Sequence, residues 1–151
     1  MLHIPNPRQR MRWLTILYGL TAFFWLSVED NAVWPVAIFG LFLASLLAAR
    51  TLFDRVGGKT ITGRHAPILG LLIGALIGMG TSVTTAGLML LKNALHSHLF
   101  PDYPPGQMIA LLERAPVWAL AGGLAGLGFS FAWIALRREI SGYSDGEQSY
   151  S

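Results

Sequence analysis

The stretch Ala66–Leu91, APILGLLIGALIGMGTSVTTAGLMLL, decides the fold. It contains no Asp, Glu, Lys, Arg or His. A helix needs about 20 apolar residues, range about 17–25, to cross the hydrocarbon core of a bilayer. This run has that length. It also carries a small residue at every fourth position: Ala66, Gly70, Gly74, Gly78, Ser82 and Ala86. Residues four apart lie on nearly one helical face. In lipid there is little hydrophobic drive between helices, so close backbone approach must hold them together, and small residues permit it. The run reads as a membrane-spanning helix built to pack closely.

Three other charge-free runs surround it: Trp13–Val28, Ala32–Ala49 and Val117–Leu136. The first two are short, and their helices are expected to extend into the interface. The whole chain is 53% hydrophobic and 13% charged over 151 residues, where a soluble domain has about 25% charged residues. Too few charges remain to cover a soluble core. The pI near 9.7 would point to nucleic acid in a soluble protein. Here the basic residues flank apolar runs, so the expected partner is the bilayer and not nucleic acid. There is no cysteine, which excludes disulfides and thiol chemistry.

The expected fold class is therefore all-α integral membrane. Four transmembrane helices (13–28, 32–49, 66–91, 117–136) form an antiparallel bundle, with a short interfacial helix in the loop between the third and fourth. Residues 1–140 make one membrane domain. The polar tail 141–151, SGYSDGEQSYS, reads as disordered and cytoplasmic. Arg8, Arg10 and Arg12 before the first run resemble the start of a signal peptide, but no small-x-small cleavage site follows, so a retained anchor is expected.

Orientation follows from the loops. Arg8, Arg10 and Arg12 precede the first run, Arg50, Arg55, Lys59 and Arg64 follow the second, and Arg137 and Arg138 follow the fourth. The first turn (Glu29, Asp30, Asn31) has no cation, and the third connection has only Lys92 and Arg114. The positive-inside rule then puts both termini in the cytoplasm of a multi-pass protein of the plasma membrane, as in a bacterial inner membrane. An aromatic belt would set Trp13 and Trp133 at inner ends and Trp25, Trp34 and Trp118 at outer ends.

Two further small-residue rows face the first: Gly122, Gly126 and Ser130 in the fourth run, and Gly40, Ala44 and Ala48 in the second. They suit packing within the chain, or self-association, or a place in a larger membrane complex. Thr81, Ser82, Thr84 and Thr85 add hydroxyls to the third run, which can bond the carbonyl four residues back.

Two stretches carry chemistry to be weighed. Gly58-Lys59-Thr60 is the tail of a phosphate-binding loop, but the glycine required five residues earlier is Phe53, so nucleotide binding is rejected. Gly57-Gly58 reads instead as a tight turn or small hairpin. The third connection, HSHLFPDYPPG (96–106), puts His96, His98 and Asp102 close in sequence. These are metal-ligand types. On a helix continuing through KNALHSHLF the two histidines would lie about 200° apart and could not share an ion. On an extended backbone they would. PGQMIALLERAP then suits a short interfacial helix, and Lys92, Asp102, Tyr103, Pro104, Pro105, Glu113 and Arg114 make up an outer cap.

The leading functional expectation is a small non-enzymatic scaffold or accessory subunit, without cofactor. One alternative is an outer-face metal-binding protein or membrane enzyme using His96, His98 and Asp102, with a divalent metal. A second is a small-solute permeation unit assembled around Thr81–Thr85. Intramembrane ionisable residues, usual in ion-coupled carriers, are missing from the four runs.

Overall fold

The computed structural model describes residues 2–3, 8–28, 32–56, 60–61, 65–96 and 101–148. Within them the chain forms five helices: α1 (Arg8–Leu26), α2 (Val33–Val56), α3 (Ala66–Leu95), α4 (Pro105–Glu113) and α5 (Ala115–Gln148). Two short strands, β1 (Leu2–His3) and β2 (Thr60–Ile61), pair antiparallel. Proline opens the helices where the chain must turn. Pro35, Pro67, Pro105 and Pro116 all lie in first turns, where the missing N–H has no intrahelical partner to lose.

Three helical segments are long and apolar enough to cross a membrane: Val33–Arg55, Ala66–Leu95 and Ala115–Leu136. The chain is thus a multi-pass membrane protein by its helices. Their outward side chains are large and apolar, with Trp34 at 69% and Phe129 at 71% exposed. α1 is not in that set. It has 19 residues and begins RQRMR, so its uncharged part is shorter than the others.

α3 is the central helix. It packs against both α5 and α2, and α2 carries α1. The α3–α5 and α2–α3 contacts pair residues in opposite sequence order. Gly70 meets Gly126 and Ser130, Gly74 meets Gly122, and Gly78 meets the backbone of Trp118. Against α2, Gly40 meets Thr85 and Gly80 approaches Ala44. Tyr18 of α1 donates a hydrogen bond to the Phe39 carbonyl of α2 at 3.1 Å, and Trp25 stacks on Phe39 with centroids 5.0 Å apart. The principal interfaces therefore run α1–α2–α3–α5 in chain order, as a row with α3 in its middle.

Small residues decide these distances. A Cβ added at Gly74 would enter the Gly122 carbonyl, so the two backbones touch because neither has a side chain. Thr84 binds the α2 contact, its hydroxyl 2.7 Å from the Gly40 carbonyl and 2.8 Å from the Gly80 carbonyl of its own helix. Thr81 turns back to Ile77 O at 2.8 Å. Thr81, Ser82 and Thr85 are all buried. The hydroxyl patch is thus part of the helix packing within one chain.

Three local features bear on the reading of the sequence. α3 ends at Leu95, and His96 is its C-cap, with its N–H bonded to the Lys92 carbonyl, so the helix does not run on through KNALHSHLF. β2 pairs with β1 near the start of the chain, which ties the α2–α3 connection to the N-terminal segment; Gly57 and Gly58 of the expected turn lie outside the described residues. α5 remains helical to Gln148, into the stretch 141–151 expected to be disordered. No proline follows Pro116, and extending an existing helix avoids the unfavourable nucleation step.

Candidate functional site

At the end away from the arginine-rich loop, the ends of α1 and α3 and the start of α2 meet α4. The buried cluster there is Trp25, Val36, Leu88, Met89, Tyr103 and Met108. Lys92, in the last turn of α3, lies inside it at 0% exposure. Its Nζ stands 4.6 Å from the Trp25 ring centroid and 5.8 Å from that of Tyr103. A cation over an aromatic face gains about 2 kcal/mol when desolvated, and a positive charge suits a helix C-terminus. Both effects favour the lysine head at this place and offset part of the cost of burying it.

The loop after α3 folds back over this cluster because Asn93 holds it. Asn93 Nδ2 donates to Tyr103 O at 2.8 Å, and Tyr103 N donates to Asn93 Oδ1 at 3.0 Å. Tyr103 is fully buried and its hydroxyl donates to Ala32 O at the start of α2, 3.2 Å away. One tyrosine thus ties the α3–α4 connection to α2. Pro104 supplies the extended N-cap from which α4 begins, and Met108 of α4 is its buried apolar contact.

His96 and Asp102 come together, Nδ1 to Oδ2 at 3.0 Å, with side chains 18% and 25% exposed. A carboxylate on Nδ1 fixes the orientation of an imidazole. His98, the second expected ligand, lies outside the described residues. Among the described residues no three His, Cys, Asp or Glu side chains gather to hold an ion. Of the other expected cap residues, Pro104, Pro105, Glu113 and Arg114 are exposed on the surface of α4 and its ends. Lys92, named with them in the outer cap, points into the buried cluster.

At the opposite end Arg10, Arg12, Arg50 and Arg55 are exposed. Arg8, Arg137 and Arg138 are placed on their helices, while Lys59 and Arg64 lie outside the described residues. Of the tryptophans, Trp25 departs from the expected belt: at 8% exposure it is a core residue of the cap. Reading the sequence misses Trp25 and Asn93 in this role. The available signal was a lysine in the last turn of an apolar helix, at the depth where an aromatic run of the first hairpin ends.

In comparisons with protein-family profiles, curated proteins and solved structures, nothing matches the chain.

Proposed function

We propose that this chain is a non-enzymatic scaffold or accessory subunit of a membrane, crossing it four times with both termini in the cytoplasm. One observation carries the reading. The polar side chains of the cap engage one another and the helix ends, while large apolar side chains cover the outside of every long helix. Such a molecule offers lipid and partners a surface rather than a substrate an open polar centre. The pairing of β1 with β2 supports the orientation, since it brings the start of the chain beside the α2–α3 connection, and both are arginine-rich. The α3 ridge of Gly70, Gly74 and Gly78 is occupied by α5, so a partner would meet other faces. Gly19, Gly87 and Gly128 have open space around them.

Native mass spectrometry on protein released gently from its own membrane tests this. A mass above the monomer, as a homo-oligomer or with foreign subunits, is the expected result. A bare monomer refutes the scaffold reading. A monomer with one metal ion per chain replaces it with the second reading, a metal-binding outer face, which the 3.0 Å His96–Asp102 contact favours.

A further inference from the structure

At the arginine-rich end α1 and α2 border an open cavity of about 540 Å³. Arg12 comes to it from α1, and Arg50 and Asp54 from α2; Met11, Ile16 and Phe53 supply apolar wall. Thr15 also borders it, but its hydroxyl donates to Met11 O at 2.9 Å. Two arginines and one aspartate therefore line it. The Arg50–Asp54 pair is long, 4.0 Å, with side chains 72% and 60% exposed. A pair so exposed contributes little, and a guanidinium has five donors, so most of Arg50's capacity is open to a ligand.

The geometry points to a binding site for the phosphodiester headgroup of an anionic membrane phospholipid. Guanidinium groups bind phosphate through paired hydrogen bonds, and basic pockets between membrane helices on the cytoplasmic side hold such headgroups. The cavity's net charge, two arginines against one aspartate, matches one phosphodiester. Its apolar walls suit the glycerol and first acyl carbons, where a free phosphate would have only the arginines. Trp13 is exposed next to Arg12, as expected of a side chain at headgroup depth. Net charge sets the selectivity, and Asp54 works against it. It would attract the ammonium of a zwitterionic lipid, but that lipid brings no net charge for the second arginine to offset.

The full chain in uncharged detergent, titrated with short-chain phosphatidylglycerol and read by native mass spectrometry, tests the site. Each arginine near a membrane surface adds a factor of roughly five to anionic lipid binding. Arg12→Gln and Arg50→Gln should each weaken binding by about that factor, and Arg114→Gln at the far end should not. Asp54→Asn should strengthen it, a gain that misfolding cannot produce. Normal binding by both arginine variants, or no gain from Asp54→Asn, overturns the site. Equal occupancy by glycerol phosphate overturns the lipid as source, and equal affinity for phosphatidylethanolamine overturns the anionic headgroup. The site rests on this end lying at a membrane surface. Cysteine labelling examines that separately, so loss of lipid binding alone leaves the topology standing.

Discussion

Replacing Gly74 by alanine should loosen the α3–α5 pair more than any other single methyl added to α3 away from that contact. The new Cβ would enter the Gly122 carbonyl and lie 2.9 Å from the Gly122 carbonyl carbon and 3.2 Å from Gly126 Cα. Comfortable carbon contacts are about 3.5–4.0 Å. The obstructing atoms are backbone, so no rotamer relieves them and the helices must part by roughly 1 Å. A gap of that size forfeits about a quarter to a half of the dispersion energy along the facing row, and overpacking costs about 1–3 kcal/mol. Alanine is a better helix former than glycine by about 1 kcal/mol, but a helix separated from its partner in lipid remains helical, so that gain largely cancels. The net loss of about 1–3 kcal/mol should lower Tm by about 2–4 °C per kcal/mol. Gly87→Ala is the control on the same helix, with nothing within 4 Å of its Cβ, and should stay within about 0.5 kcal/mol of the parent. Thermal unfolding of the three proteins in one detergent decides it. Equal Tm for Gly74→Ala and Gly87→Ala would refute the close-contact account of the core.

In the cap, Tyr103→Phe removes only the bond to Ala32 O and should cost about 0.5–1.5 kcal/mol. Asn93→Ala leaves the Tyr103 N–H and C=O without their partner and should cost more, about 1–3 kcal/mol for each buried group; the reverse order in unfolding experiments would contradict the anchoring role of Asn93. Elemental analysis of the purified protein should find no stoichiometric metal, and an ion lost on His96→Ala with His98→Ala would establish a metal centre instead. Because the chain has no cysteine, single variants report topology cleanly. Gln107→Cys and Ser27→Cys should react with an impermeant thiol reagent from outside and Gln9→Cys only after permeabilisation; inside labelling of Ser27→Cys would mean that α1 does not cross.

The long spans were legible because length and freedom from charge are one-dimensional properties. The pairing of glycine rows was legible in part. Three rows were visible, but α2 uses its row against Gly80, Thr84 and Thr85, not against the Gly70–Gly78 ridge, which α5 takes. Sequence spacing defines a face and does not say which neighbour occupies it. The cap was hidden for a different reason. Lys92 was placed in the outer cap by its position alone, and its burial depends on Trp25, 67 positions earlier, and on a loop folded back by Asn93. Such contacts leave no periodic trace. His96 and Asp102 were nominated by type, and their approach to 3.0 Å depends on α3 stopping at Leu95, which no proline or glycine at that point announces.

The difference between α1 and the other long helices has a physical consequence. From Trp13 to Leu26 its uncharged part measures about 21 Å at 1.5 Å per residue, against a hydrocarbon core of about 30 Å. Crossing alone, it would need the bilayer to thin or Arg10 and Arg12 to reach upward to the headgroups. α1 is not alone. Its far end is fixed by Trp25, which stacks on Phe39 and covers Lys92, and its middle by Tyr18 on the Phe39 carbonyl. Its near end carries Arg12 into the cavity shared with Arg50. A helix of marginal apolar length is thus held at both ends by contacts that do not depend on hydrophobic length: a buried cation at one and, on the lipid-site proposal, a headgroup phosphate at the other. The same chemistry explains why the first apolar run is rich in aromatic residues where the third is rich in glycine. α1 attaches by rings and polar tips at chosen points, while α3 attaches along its whole length by bringing backbones together.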